Sequence, residues 1–291
     1  MSTYKIISDS SCDLDNEIIL KNDLDIVPFY VSFDGEKYLR DRVDISNTEF
    51  YNKITKEKLF AKTSLPSIQD YVDVFTKWLE KGLDILCICI TSKFSGSYQS
   101  AINAKQLMEE RYPERIIEVI DSATATACQG LVVLSAIKLR SEGKTVSETA
   151  QLIEEAKMKS KIVFTVDTLE YLQRGGRIGK VSALAGTLLN IKPIICLEDG
   201  ELFPTSKLRG RKKAIAEIFE ILKSDIGENS DSYIFCVVHS TVDSEIQYAL
   251  SHLKELFNFT EDIPIIEVGI TVGAHLGDTA LGIAYFPKLY L

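Results

Sequence analysis

An uninterrupted apolar run, Ile85-Leu86-Cys87-Ile88-Cys89-Ile90, gives way at once to Thr91-Ser92-Lys93-Phe94-Ser95-Gly96-Ser97-Tyr98-Gln99-Ser100-Ala101. A run of this length bounded by turn residues predicts a strand buried on both faces, with a helix starting after the Ser/Gly turn. The same layout predicts strands at residues 4–8 and 115–120, closing on Asp9-Ser10 and Asp121-Ser122. Residues 24–33 alternate around Pro28, which predicts an edge or irregular strand, and residues 62–67 read as a polar loop. Helical spacing follows Ser46 (Phe50, Tyr51, Ile54) and Ser67 (Tyr71, Phe75, Trp78), and continues to about Arg111, over 129–141 and over 146–157. Strands that alternate with helices predict a parallel sheet, whose strand C-termini share one edge, where ligands bind.

The charged stretch Lys157-Met158-Lys159-Ser160-Lys161 predicts a junction, dividing the chain into domains 1–160 and 161–291. Beyond it, strands are predicted at 162–166, 191–197, 200–206, 233–239 and 263–268, with a short helix at 169–173. Asp199-Gly200 favours the positive φ angles of a tight hairpin, so the second sheet is expected to be mixed. The predicted class is α/β: an N-terminal three-layer α/β/α domain with a mostly parallel sheet, then an α/β domain with a mixed sheet.

With 291 residues, 45% hydrophobic and 26% charged, the composition is that of a globular protein large enough for an internal pocket. A net charge of -9 argues against a nucleic-acid partner. The first ten residues lack a basic, apolar leader and no run approaches ~20 apolar residues, so a cytoplasmic chain without stable membrane insertion is expected. Six cysteines form no C-x-x-C pair, which points to reduced, buried thiols and to neither a metal site nor a disulfide framework.

The hydroxyls of Ser92, Ser95, Ser97 and Ser100 suit capping and anion binding at a helix start. The G-x-S-x-G elbow, the P-loop and the dinucleotide fingerprint are all missing from the sequence. A serine esterase or thioesterase using Ser95 and His275 is the alternative reading. His275 lies between Gly273 and Gly277, where the backbone can approach a ligand closely. Lys207-Leu208-Arg209-Gly210-Arg211-Lys212-Lys213, with Arg174, Arg177 and Lys180, makes a basic face on an acidic protein, suited to an acidic partner.

Taken in order, Asp9-Ser10 with Asp13-Leu14, Thr63-Ser64 with Pro66-Ser67, Ser95-Gly96-Ser97-Tyr98-Gln99-Ser100-Ala101, Asp121-Ser122, Arg174-Gly175-Gly176-Arg177-Ile178, Ile191-Lys192-Pro193-Ile194 and Gly273-Ala274-His275-Leu276-Gly277 make the chain similar to the DegV family. That family includes the fatty-acid-binding subunits of bacterial fatty acid kinase. The resemblance implies two domains closing on a long-chain fatty acid, with Thr63, Ser95 and His275 around its carboxylate. The amides of Gly96 and Ser97 would add donors. It further implies a carrier without its own catalysis or cofactor, which presents the lipid to a separate fatty acid kinase catalytic subunit for phosphorylation to acyl phosphate and serves phospholipid synthesis. Arg174, Lys207, Arg209 and Arg211 would form the docking face, and lipid exchange would need only transient membrane contact. Asp278-Thr279 and Leu65 depart from the family pattern, which commonly has Pro-Gly after the Gly277 position and Gln at the Leu65 position.

Overall fold

A computed structural model describes residues 4–184 and 190–289. The first unit carries strands β1 (Tyr4–Asp9), β2 (Asp25–Val27), β3 (Tyr30–Ser32), β4 (Leu39–Arg40), β5 (Lys62–Ser64), β6 (Asp84–Cys89) and β7 (Ile117–Asp121). Its helices are α1 (Asn16–Lys21), α2 (Asn47–Thr55), α3 (Ile68–Leu79), α4 (Ser97–Arg111), α5 (Thr126–Ser141) and α6 (Val146–Ala156). The second carries β8 (Lys161–Thr165), β9 (Ile191–Glu198), β10 (Glu201–Arg209), β11 (Tyr233–His239), β12 (Ile265–Glu267) and β13 (Leu281–Pro287), with α7 (Glu170–Arg174), α8 (Arg211–Ile226), α9 (Asp243–Phe257) and α10 (Ile270–Leu276).

Among the described residues the first sheet runs β2-β1-β6-β7 with every pair parallel. The second runs β10-β9-β8-β13-β11-β12, antiparallel except for β11 and β12. This is a two-domain α/β fold with a parallel N-terminal sheet and a mixed C-terminal one. At the β9–β10 hairpin both Asp199 (φ 52°) and Gly200 (φ 78°) are left-handed, as the Asp-Gly pair demands.

Helix α5 lies between the sheets, packing on β1 and β6 on one side and on β11 and β13 on the other. It is buried nearly all round, through Leu131, Val132, Val133, Ala136 and Leu139. Gly130 permits this depth, because a Cβ there would sit 2.7 Å from the Cys12 carbonyl oxygen. Helices α3 and α4 cover the outer face of the first sheet, and α8 and α9 that of the second. One apolar cluster therefore runs from Ile6 and Ile88 through Leu131 to Phe164 and Ile195, so both sheets share a core. All six cysteines are buried thiols.

Four local expectations change. Residues 24–33 are not one strand: the chain breaks at Pro28-Phe29, so β2 joins the main sheet while β3 joins a small sheet with β4 and β5. Thr63 thus sits on a strand, opposite Val31, and not in a loop. The glycine-flanked histidine is in no turn either, because it occupies the last turn of α10. Strand β13 lies in the middle of the second sheet, where sequence reading placed none.

Helix α10 packs back against the first unit: Ile270 and Ala274 share a cluster with Val31, Phe50, Tyr51 and Ile54. Tyr51 donates to the Val268 carbonyl at 2.7 Å just before it. Among the described residues no helix is long and apolar enough to cross a membrane.

Candidate functional site

A cavity of about 200 Å³ opens between the sheets. Its inner wall is apolar: Phe29 and Ile90 from the first unit, and Ile162, Phe164, Leu197 and Val238 from strands of the second. Thr63, Leu65, Phe94, Ser95, Arg177 and His275 also line it and gather its polar groups.

Three elements bring those groups together. Strand β5 holds Thr63, and Ser67 then caps α3 with a reciprocal bond to Asp70, fixing the loop between them. Strand β6 delivers the Ser/Gly turn. Helix α10 brings His275, whose Nε2 lies 2.8 Å from Thr63 Oγ1. Two glycines let α7 and its loop close on α10. A Cβ on Gly175 would land on the His275 ring, and one on Gly277 (φ 77°) would enter the Tyr171 ring.

His275 is largely buried, and burial first, then the Arg177 charge, pushes its pKa down to about 4. The imidazole is therefore neutral at pH 7. Among the described residues its Nδ1 has no hydrogen-bond partner, so no carboxylate there orients it. A hydrolytic pair needs a base aimed at the nucleophile and held by a third group. Here the ring bonds Thr63, and the Ser95 hydroxyl accepts the Ser97 amide at 3.2 Å. Among the described residues Ser95 and His275 therefore share no hydrogen bond.

The predicted carboxylate set divides. Thr63, Ser95 and His275 line one cavity, whereas Gly96 and Ser97 do not. Ser97 is fully buried, and its hydroxyl donates to Asp9 Oδ2 at 2.8 Å and lies 2.7 Å from the Tyr71 hydroxyl. Its amide is committed to Ser95, so the expected pair of free amides at the helix start is not available. Asp9 is the reason. This buried carboxylate also accepts Ser11 (2.5 Å), Gln129 (2.8 Å) and the Ile90 amide (3.0 Å), while burial pushes its pKa up. It ties the turn to β1 and α5.

Of the proposed docking residues, Lys207 and Arg209 stand exposed on β10, an edge strand. Arg174 is exposed and stacks over Phe60 at 3.8 Å while pairing with Glu170. Arg211 does not belong with them: its side chain is 17% exposed and chelates Glu245 at 2.7 Å, because it starts α8 beneath the sheet edge. Arg177, placed by sequence in the basic face, instead donates to the carbonyls of Phe94 (3.2 Å) and Gly175 (2.7 Å). It bridges the two units at the cavity and supplies the positive charge that the predicted set lacked.

The pH consequence of His275 has a definite sign. Its folded pKa lies below the unfolded value of about 6.5, so the unfolded chain takes the proton first and stability falls as pH drops from about 6.5 to 4, by on the order of 3 kcal/mol. Asp13 opposes it: burial pushes its carboxyl up to about 8, so its contribution is complete below its unfolded pKa and lost as pH rises through 8. The readout is therefore the unfolding free energy of the parent minus that of His275→Gln. Urea titrations at pH 7 and pH 4.5 should show this difference shrinking by about 2 kcal/mol at the lower pH. A constant difference contradicts a buried neutral ring.

Comparison with known proteins adds an independent line. The family described as "Uncharacterised protein, DegV family" matches residues 3–288. A DegV domain-containing protein of Clostridium acetobutylicum is 35% identical over 284 residues, covering 98% of each chain. Among solved structures, a stearic acid-binding protein from Eubacterium ventriosum is 38% identical, with a TM-score of 0.93 over 98% of this chain and 99% of its own. A DegV family protein from Thermus thermophilus, described for its fatty acid binding, is 29% identical, with a TM-score of 0.85 over 98% and 99%.

Proposed function

The chain belongs to the DegV family, and on that premise we propose that it binds one long-chain fatty acid and presents the carboxylate to a separate kinase subunit for phosphorylation. One observation carries the reading: an apolar cavity between the two sheets has Thr63, Ser95 and His275 on its wall, with Arg177 beside them. Each buried CH₂ contributes about 0.8 kcal/mol, so the acyl chain supplies the affinity and the polar cluster the orientation. On binding, the Thr63–His275 bond is exchanged for bonds to the ligand: Thr63 and Ser95 donate through hydroxyls, neutral His275 through Nε2, and the Arg177 guanidinium offsets the carboxylate charge, which unpaired would cost several kcal/mol.

Transfer chemistry belongs to the partner in this reading, since the sequence carries none of the common nucleotide-binding motifs. Lys207 and Arg209, two residues apart and so on one face of β10, together with Arg174, form the docking surface for an acidic kinase face. Lipid exchange takes place by transient contact with a membrane surface. The test combines the purified chain, palmitate, ATP and the kinase subunit of the same organism. Acyl phosphate should form, and Lys207→Glu with Arg209→Glu should slow it about tenfold while palmitate binding is kept. Hydrolysis of acyl esters by the chain alone would instead favour the esterase.

A further inference from the structure

The cavity wall is not uniformly apolar beyond the His275 cluster. Thr126 and Thr271 line it, at 3% and 4% exposure, among Phe29, Val268 and Ala125. Their hydroxyls donate outward from the cavity, Thr126 to Asp13 Oδ2 at 2.5 Å and Thr271 to Asp41 Oδ2 at 2.7 Å. Both aspartates are buried and line a second cavity. A hydroxyl has one proton and two lone pairs. With the proton given to an aspartate oxygen, each threonine oxygen is left to accept. Ser10, 3.4 Å from Thr271, also gives its proton to Asp41, so it does not use those lone pairs.

Keeping threonine at these positions runs against local preference. Thr126 has φ 48°, a left-handed angle that is unfavourable for a β-branched residue, at the first position of α5. Thr271 precedes His275 by four residues on α10, which places it on the same face one turn away, ~6 Å along the axis.

Resting on the fatty-acid reading above, we propose that the cavity accepts long-chain fatty acids hydroxylated on the chain, the ligand hydroxyl donating to Thr271 or Thr126 about one helical turn from the carboxylate. An acyl hydroxyl at that depth meets a pre-oriented acceptor. Elsewhere along the apolar wall it is buried without a partner and weakens binding. The site therefore discriminates by hydroxyl position.

The experiment uses the delipidated full chain and calorimetric titration with octadecanoic acid and its 3-, 6-, 9- and 12-hydroxy derivatives. One isomer, hydroxylated in the half nearer the carboxylate, should bind within about threefold of octadecanoic acid while the 12-hydroxy acid binds about tenfold or more weakly. Thr271→Val should weaken the favoured isomer about tenfold and octadecanoic acid less than threefold, with Thr271→Ser restoring the preference. Equal weakening of all four hydroxy acids in the parent overturns the proposal and leaves the fatty-acid reading standing. This position series needs no variant to fold. Failure of octadecanoic acid itself to bind overturns both.

Discussion

The chain carrying Thr63→Val and Ser95→Ala together binds palmitate about a hundredfold more weakly than the parent. Each hydroxyl facing the cavity offers a hydrogen bond to a carboxylate, worth about 1.5–3 kcal/mol, and two such losses give at least that factor. Binding does not vanish, because the apolar wall of Ile162, Phe164 and Leu197 is untouched. The methyl ester of palmitate separates head group from tail. It binds the parent more weakly than the acid, and in the double variant this difference narrows, since two donors to the carboxylate have gone while Arg177 and His275 remain. Displacement of a fluorescent fatty acid measures all four affinities. Undiminished affinity for the acid would place the carboxylate elsewhere.

Asp9→Ala destabilises the protein by about 3–5 kcal/mol in urea titration. Four donors converge on this carboxylate: the hydroxyls of Ser11 and Ser97, the Gln129 amide and the Ile90 backbone. Alanine leaves them buried without an acceptor. The damage extends to the site, because Ser97 stands two residues from Ser95 and its amide holds the Ser95 hydroxyl. Asp9→Asn keeps one carbonyl acceptor but sets an NH₂ group among donors, so it recovers only part of the loss. A loss below about 1 kcal/mol for Asp9→Ala would mean that the network is not the anchor of the turn.

Much of this scaffold is legible in the sequence. The run Ile85 to Ile90 has no polar break because it is buried on both faces, and the Ser/Gly turn follows since α4 must start where β6 ends. Ser46 and Ser67 announce their helices through capping boxes. Helix α10 stays hidden for a physical reason: seven residues with three β-branched side chains and an internal glycine have little propensity of their own, and packing on Phe50 and Tyr51 supplies the stability. Strand β13 had a signal that went unused, the near-continuous apolar run from Ala280 to Phe286.

The site divides along the same line. Thr63, Ser95 and His275 are singled out because family motifs mark them, and the fold brings these three distant stretches to one cavity. Ser97 misled, since its amide, expected to face the ligand, donates to the Ser95 hydroxyl, and its side chain turns towards Asp9, 88 residues away in sequence. Arg211 misled for the opposite reason: a dense basic run looks solvent-facing, yet the turn at Gly210 (φ 93°) sends it inward to Glu245. The cavity wall could not be read at all. Phe164, Leu197 and Val238 belong to strands that look like any buried strand, and only sheet order shows which of their faces borders a cavity.

The most direct test of the central claim is a crystal structure of the chain grown with palmitate. The acyl chain should lie between the two sheets along Ile162, Phe164 and Leu197, with its carboxylate within hydrogen-bonding distance of Thr63 Oγ1, Ser95 Oγ and His275 Nε2. Palmitate density outside this cavity, or inside it with the carboxylate turned away from those three residues, would contradict the account.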